Sequence, residues 1–283
     1  MFASNPFADL SAVIPTALIQ AYVILMAVLV VGGTVIDMIH KKSAKYFFEN
    51  AEKAKANRKR EVSSGEAMSI AAQTVAVDVL TSGEFCNPKR RISHLFTMYG
   101  FILFILMTAV LVFGYPTPEA AAPAILSVLW HLGAAMVCFG GYWFWFGIRV
   151  DVAAEGNPWY RVVRADLFIL SLLATTTTGL IWSILQASGA GAWTTLFLLL
   201  FILSSTMLFG GVLWSKFAHM FFKPAAAYQK RMIKADGSRE NLPELGDLSD
   251  PELQKRYPDI PEYMGANPPN MGLGIKRESP RHY

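Results

Sequence analysis

The most regular feature of the sequence is a set of five long apolar segments separated by polar ones. They extend over about 13–39, 93–115, 123–148, 166–186 and 193–218. As α-helices rising 1.5 Å per residue, all five are long enough to cross the roughly 30 Å hydrocarbon core of a bilayer. The first segment is too long for a cleaved signal peptide, so we expect it to stay as a membrane anchor. The pattern predicts an all-α integral membrane protein, a bundle of five transmembrane helices.

The basic residues all lie on one side of this pattern. Of the 25 lysines and arginines, 11 lie in residues 40–92, 3 in residues 149–165 and 11 after residue 215. The loops 116–122 and 187–192 contain none, and neither does the N-terminal stub. Since positively charged loops stay in the cytoplasm, the N-terminus should face outward and the C-terminus should be cytoplasmic. The short outer loops predict that spans 2 and 3, and spans 4 and 5, are antiparallel neighbours.

Composition divides the chain into four regions. Residues 1–39 form an outer stub and the first span, and residues 40–92 form a basic cytoplasmic loop. Residues 93–234 contain the other four spans, and residues 235–283 form a proline-rich cytoplasmic tail. Within the basic loop, residues 63–81 have apolar positions at helical spacing, which is typical of a helix on the membrane surface or of one packed under the bundle. The tail is either disordered or an extended arm that docks on a partner.

The remaining composition narrows the class of protein. Charged residues make up 16% of the chain, against about 25% in a typical soluble domain. The net charge of +4 comes from basic residues that set the membrane topology and contact anionic lipid head groups. We therefore expect the lipid bilayer as a partner, and we do not expect nucleic acid. Two cysteines, Cys86 and Cys138, are too few for a disulfide framework or an iron–sulfur ligand set. The acidic residues Asp37, Asp151 and Asp166 lie near the ends of spans, which argues against a proton-coupled transporter.

Two histidines are candidate cofactor ligands. His94 begins the second span and His219 ends the fifth, so both should lie at one depth near the cytoplasmic interface. Two imidazoles on facing helices at one depth can supply both axial ligands of a b-type haem. Cations and a third histidine at the same level could meet haem propionates or a reduced quinone: Arg90, Arg91, Lys216 and His40. The alternative is that these histidines are ordinary interfacial residues.

A further histidine, His131, lies roughly 12 Å deep in the third span. No other histidine lies at its depth, so it cannot form a second bis-histidine haem site. It is either a hydrogen-bond donor to quinone or a buried histidine satisfied by a neighbouring helix.

Small and aromatic residues predict how the spans pack. The pair Gly140-Gly141 indicates close approach of two helices, and the hydroxyl groups of residues 175–178 and 204–205 indicate interhelical hydrogen bonds. An aromatic belt is expected at the cytoplasmic end of the third span, formed by Tyr142, Trp143, Trp145 and Phe146.

Four segments of the chain resemble a known family. The segments RRISHLFTMYGF (90–101) and WSKFAHM (214–220) resemble the membrane cytochrome b subunits of the nitrate reductase gamma type, in particular those of quinone-interacting oxidoreductase complexes of sulfur metabolism. The segments DMIHKKSAKYFF (37–48) and SGEFCNPKRRISHL (82–95) resemble the membrane anchor of dissimilatory adenylylsulfate reductase from sulfur-oxidising bacteria. The resemblance covers most of the chain, including its five spans.

This resemblance implies a function and a location. His94 and His219 match the cytoplasmic-side haem pair of two-haem members of the family. The second pair would fall about three turns deeper on the second span, near Phe104, and about five turns earlier on the fifth, near Phe201. Because both positions are phenylalanine, at most one haem b is implied.

The implied protein is a non-catalytic anchor and electron-transfer subunit in the bacterial inner membrane. Its partner would be a soluble cytoplasmic adenylylsulfate reductase with flavin and iron–sulfur centres, which converts sulfite and AMP to adenylylsulfate and delivers two electrons to the quinone pool. The alternative within the same resemblance is a haem-free anchor that only docks the soluble enzyme at the membrane.

Overall fold

The computed structural model describes residues 2–41, 43–83, 85, 87–151, 156–238, 250–256 and 258. Within these residues the regular secondary structure is helical, without β-strands. The α-helices are α1 (Pro6–Leu10), α2 (Thr16–Lys41), α3 (Ser43–Ala56), α4 (Ser64–Gln73), α5 (Pro88–Ala109), α6 (Ala124–Trp143), α7 (Leu167–Ser188), α8 (Ala192–Gly210), α9 (His219–Ala235) and α10 (Pro251–Arg256). Wider π-helical turns extend α4 to Leu80, α5 to Gly114 and α6 to Ile148. Most of the tail and Cys86 lie outside the described residues.

Five of the helices are long and apolar enough to cross a membrane. The segments are Thr16–His40, Pro88–Gly114, Ala124–Ile148, Arg164–Ser188 and Ala192–Leu213. The predicted fold class, an all-α membrane protein with five spanning helices, is therefore confirmed. Which terminus faces outward stays a prediction.

The spans pack in two antiparallel pairs with one peripheral helix. The α5–α6 and α7–α8 pairs make the most extensive contacts, and the α6–α7 interface joins them. Short connections fold each pair back on itself, as the short outer loops predicted. The first span, α2, packs on α8 and on the turn that follows it, and most of its surface faces outward.

The α5–α6 interface brings two helix backbones into direct contact. A Cβ atom added at Gly133 would lie 2.7 Å from the Phe104 amide nitrogen, and one added at Gly140 would lie 2.5 Å from the Ser93 carbonyl oxygen. Ser93 Oγ donates a hydrogen bond to the Gly140 carbonyl at 2.8 Å. The close approach predicted at Gly140-Gly141 is confirmed, and Gly141 makes it against Leu173 of α7.

Hydroxyl groups connect the helices inside the bundle. Thr178 Oγ1 lies 3.3 Å from Ser204 Oγ, between α7 and α8. The Tyr22 hydroxyl of α2 lies 2.7 Å from Ser205 Oγ. Because no water is present in hydrocarbon to satisfy such groups, these pairs fix the rotation of each helix about its axis. They confirm the predicted interhelical hydrogen bonds.

The end of the bundle that holds α1 is filled by aromatic rings. Phe104 and Trp130 have centroids 5.1 Å apart, and Trp182 stacks on Phe201 at 5.6 Å. Phe7 of α1 contacts both tryptophans, each at 5.6 Å. The N-terminal residues are therefore part of the core, although the sequence predicted only a short outer stub.

Hydrogen bonds hold α1 in this position. The Asn5 side chain donates to the Tyr115 carbonyl at 2.8 Å, and Gln186 Nε2 donates to the Pro6 carbonyl, also at 2.8 Å. Asn5 also caps α1, since its side chain accepts from the Phe7 amide. The short helix closes one end of the bundle.

The fifth span is shorter than the sequence predicted. The α-helix ends at Gly210, a single tighter turn runs from Gly211 to Leu213, and a new helix begins at His219. Two consecutive glycines remove the side chains that would favour continuing the helix, which explains the break. His219 therefore does not end the fifth span, and α9 is a separate helix outside it.

The contact at Gly133 predicts a destabilising substitution. Gly133→Ala should lower the stability of the protein by about 1–3 kcal/mol, because the added methyl group meets backbone atoms of α5 that cannot move aside. Thermal unfolding in detergent measures the effect. Gly32→Ala is the matched control: nothing lies within 4 Å of a Cβ there, so it should leave stability unchanged or raise it by about 0.5–1 kcal/mol. Equal melting temperatures for the two variants would contradict the contact.

Candidate functional site

Three helices form a layer at the end of the bundle opposite α1. We call this layer the basic platform; it consists of α3, α4 with its extension Thr74–Leu80, and α9. The helix α9 contacts both others, so the layer is continuous. The extension of α4 rests against α9, whereas Met68 and Val75 are exposed, so both interpretations of residues 63–81 stay predictions.

An ion pair and a backbone clamp hold the basic platform together. Arg231 of α9 donates two hydrogen bonds to Asp78, at 2.6 and 3.0 Å. The amide nitrogens of Lys59 and Arg60 donate to the Asp236 carbonyl, at 2.9 and 3.2 Å, and so cap the C-terminal end of α9. The three helices therefore behave as one body and not as separate arms.

The clamp is reinforced by a bidentate pair between Arg60 and Glu66. Its two hydrogen bonds are 2.5 and 2.9 Å long. The hydrogen bonds from Arg60 lower the pKa of the Glu66 carboxyl below its ordinary value. The pKa of Glu66 is lower in the folded protein than in the unfolded chain. The ion pair therefore contributes its full stabilisation at a pH above the pKa of a glutamate in the unfolded chain, and this stabilisation is lost as the pH falls through the pKa in the folded protein. The pair is exposed to solvent, so that contribution is small.

His94 lies where the platform meets the bundle. Asn87 caps α5 by accepting from the amides of Lys89 and Arg90, which places His94 on the second turn of the helix. His94 Nδ1 lies 3.0 Å from Ser82 Oγ, and the Phe85 ring packs on the imidazole with centroids 4.8 Å apart. Ser82 has a φ of +50°, a left-handed conformation that costs energy for a residue other than glycine.

Cations surround the same phenylalanine. The Arg90 guanidinium lies 5.7 Å from the Phe85 ring centroid and the Lys223 ammonium lies 5.3 Å from it. Arg91 Nε donates to the Thr81 carbonyl at 2.7 Å. The structure thus brings the predicted Arg90 and Arg91 together with His94. It adds Lys223 of α9, a helix that the sequence did not predict because the fifth span was expected to run on to residue 218.

The other predicted residues lie at the same end of the molecule. His219 is described by its backbone only, as the first residue of α9. Lys216 is exposed in the turn before α9, and His40 is exposed at the end of α2.

Of the two histidines of the predicted haem site, the structure describes the side chain of His94 alone. His94 is already engaged by Ser82 and Phe85, and no second imidazole faces it among the side chains that the structure describes. Phe104 and Phe201, at the positions of the second haem pair, are buried in the aromatic core and fill that space. Over the described ranges no group of three or more His, Cys, Asp or Glu residues could hold a metal ion. Haem b and the ligand roles of His94 and His219 stay predictions.

His131 is buried with both ring nitrogens engaged. Nδ1 lies 2.7 Å from the Ser127 carbonyl oxygen and Nε2 lies 2.8 Å from Ser183 Oγ of α7. Trp130 and Phe2 pack edge-on against the imidazole, with centroids 4.9 and 5.1 Å away. This geometry favours the buried histidine satisfied by a neighbouring helix; a quinone would have to displace Ser183 to reach Nε2.

A buried arginine at the platform end of α6 is the most highly connected charged residue described. The Arg149 side chain is 1% exposed and its Nη2 lies 2.5 Å from Asp166 Oδ2. The guanidinium also donates to the carbonyls of Pro158 and Arg161, at 2.9 and 2.5 Å. The Trp145 ring covers it, with the centroid 4.2 Å away.

From the sequence, Arg149 counts only as one of the basic residues that set the topology and Asp166 as an acidic residue near the end of a span, and no pairing between them was predicted. The pairing could have been suspected from position, because Arg149 follows the third span and Asp166 begins the fourth, so that the two opposite charges lie at the same end of neighbouring helices. The prediction that Trp145 belongs to an aromatic belt is wrong: it is 5% exposed, because it packs on the guanidinium inside the bundle. Of the other belt residues, Tyr142 and Phe146 are exposed on the outer surface.

These features define a multi-pass membrane protein of five spanning helices with a folded platform at one end. Comparisons with protein-family models, with curated proteins and with solved structures find no match for the chain. Membership of the cytochrome b and adenylylsulfate reductase anchor families therefore stays a prediction from the resemblance of the four segments.

The buried pair predicts a large effect of removing one partner. Arg149→Met should destabilise the protein by about 3–5 kcal/mol, because Asp166 and two backbone carbonyls would remain buried without their donor. The loss is measured as a lower melting temperature in detergent. Arg161→Met is the matched control, since its side chain is exposed and only its carbonyl contacts Arg149. An unchanged melting temperature for Arg149→Met would show that the pair is dispensable.

Proposed function

We propose that the protein is a membrane anchor that holds a soluble cytoplasmic oxidoreductase against the bilayer. The observation that carries this proposal is the basic platform: three helices clamped together at one end of a bundle whose loops at the opposite end, 116–122 and 187–192, have no basic residues. From the resemblance, the soluble enzyme is adenylylsulfate reductase with its flavin and iron–sulfur centres. The membrane is then the bacterial inner membrane, with the platform in the cytoplasm and α1 outside.

Charge supports a partner on the platform side. The helix α3 exposes Lys45, Lys53 and Lys55, and Arg58 follows it. Two of these cations are paired with exposed glutamates within the same segment, Lys45 with Glu49 and Arg58 with Glu61. Exposed cations of this kind steer an acidic partner and raise its association rate, and the effect weakens with salt.

The chemistry in this proposal belongs to the soluble partner. Sulfite and AMP combine to adenylylsulfate with release of two electrons, and quinone takes up those two electrons and two protons to become quinol. The anchor supplies the location at which the partner's redox centres and a membrane quinone come close together. We place the quinone contact near His94, where Arg91 and Lys223 lie at the junction of platform and bundle.

The interior of the bundle favours the haem-free form of this anchor. The aromatic core, which includes Phe104 and Phe201, fills the space in which the resemblance would place a second haem. The packing of Phe85 on His94 occupies one face of the first candidate ligand.

One observation favours a second candidate, the electron-transfer subunit with a single haem b. Lys223 follows His219 by one helical turn and lies over Phe85, which packs on His94. The first turn of α9 therefore lies on the side of the bundle where His94 is found. A bound haem would there supply single-electron transfer between the partner and quinone, with His94 and His219 as its axial ligands.

A redox spectrum separates the two candidates. For the detergent-purified protein, expressed with an adequate haem supply, the dithionite-reduced minus oxidised spectrum should show no b-type band, because Ser82 and Phe85 already engage the His94 imidazole. The variants His94→Ala and His219→Ala serve as controls. A band close to one haem per chain that disappears in both variants would replace the haem-free anchor by the electron-transfer subunit.

Docking is tested by charge reversal on α3. The variant Lys53→Glu/Lys55→Glu should weaken binding of purified adenylylsulfate reductase to proteoliposomes about tenfold, equivalent to about 1.4 kcal/mol. Cosedimentation at several salt concentrations measures the binding. The variant Lys53→Arg/Lys55→Arg keeps the charge and should bind as the wild type does. If the enzyme does not bind the wild-type proteoliposomes at all, the proposed partner is wrong.

A further inference from the structure

Four aromatic rings form a continuous column on the outer surface of the bundle. Tyr142 and Phe146 of α6 and its extension stack with centroids 6.1 Å apart, Phe146 and Trp159 lie 6.4 Å apart, and Trp159 and Tyr160 lie 5.8 Å apart. All four are exposed, from 39% at Tyr142 to 71% at Tyr160. The column leads from inside the third span to the loop between α6 and α7.

This loop is held rigidly from beneath by the buried arginine. Arg149 donates to the carbonyls of Pro158 and Arg161, on either side of the two exposed aromatic residues. Asp166, which pairs with Arg149, accepts from the Val163 amide at 2.9 Å. The charged pair is buried and the aromatic side chains point outward, so the loop is fixed in a shape that exposes Trp159 and Tyr160.

The position of the column identifies what covers it. Tyr142 and Phe146 belong to the span Ala124–Ile148 and are exposed on its surface, with the Tyr142 hydroxyl 2.8 Å from Thr177 Oγ1 of α7. In a bilayer their exposed ring faces would meet hydrocarbon. Since the Trp159 ring packs on Phe146, the column continues without a gap from the hydrocarbon to the level of the head groups. Tryptophan and tyrosine are enriched at that level, because their rings are apolar and their N–H and O–H groups need a polar partner.

Cations lie beside the exposed end of the column. Arg161 and Arg164 are exposed, and Arg164 Nε donates to the carbonyl of Trp214 at 3.2 Å. The Trp214 side chain is itself 59% exposed, just beyond the end of the fifth span. Aromatic rings and arginines therefore occupy one level on two neighbouring spans, an arrangement that matches the phosphate groups of anionic lipids.

We propose that the loop 156–166 is a preformed binding surface for the head-group region of an anionic bilayer. Trp159 and Tyr160 insert at the boundary between head groups and acyl chains, and Arg161 and Arg164 contact lipid phosphates. The buried Arg149–Asp166 pair positions the loop and so sets the depth at which the bundle sits. This inference does not depend on the identity of the soluble partner.

The depth of the Trp159 ring in a membrane tests the proposal. The full chain and its Trp159→Phe variant are reconstituted separately into phosphatidylcholine vesicles containing phosphatidylglycerol, and the difference in fluorescence emission reports Trp159. Lipids brominated near the head-group end of the acyl chain should quench this emission strongly, while lipids brominated near the chain terminus and aqueous iodide should quench it weakly. The variant Asp166→Asn, which weakens the clamp, should increase quenching by iodide.

Two controls keep the result decisive. The first control is Trp182, which is fully buried. The difference in emission between the wild type and Trp182→Phe reports this tryptophan, and iodide should not quench its emission. Vesicles of phosphatidylcholine alone separate the apolar contact from the contribution of anionic phosphates, and shallow quenching should be weaker there. Strong quenching of Trp159 by iodide with none by brominated lipids would place the loop in water and overturn the proposal, leaving the column as a surface for another protein.

Discussion

The structure depends on one constraint, that a polar group in hydrocarbon must find its partner within the protein. Ser93 donates to the backbone of the neighbouring helix, and the Thr178–Ser204 contact connects α7 with α8. His131 engages both of its nitrogens between two helices. The strongest case is Arg149, whose charge is matched by a carboxylate and whose other donors are used by carbonyl groups. Each of these solutions fixes a relative position of helices, so the requirement for satisfied polar groups also specifies the packing.

The hydropathy pattern of the sequence was sufficient to predict the features that depend on the local amino-acid composition. The five spans, the antiparallel pairs and the close contact at Gly140 follow from hydropathy, loop length and side-chain size, which act locally. The contacts that define the candidate site are different, because they join residues far apart in the chain. Arg231, which pairs with Asp78, lies on α9, a helix that starts after the fifth span. The break at Gly210-Gly211 was not predicted, because the apolar segment continues past it to residue 218. Trp145 was likewise expected on the outer surface of the third span, but it packs on Arg149 inside the bundle.

Close packing of the bundle interior bears on the proposed function. The resemblance implies that a second haem would lie between the second and fifth spans, and here Phe104 and Phe201 occupy those positions within the aromatic core. Gly133 and Gly140 bring the backbones of the second and third spans together. What the bundle gains is rigidity, and a rigid bundle is suited to presenting the basic platform at a fixed height above the membrane. The proposed anchor role then depends on a fixed geometry between bilayer and platform.

The position of α1 has a consequence for how the protein assembles during synthesis. Phe7 rests against Trp130 and Trp182, and Gln186 donates to the carbonyl of Pro6, so the binding surface for α1 belongs to two helices made later. The helix α1 therefore completes its contacts only after the fourth span has entered the membrane. Until then Phe7 has no core to join, and the chain must insert its first three spans with that end of the bundle still open.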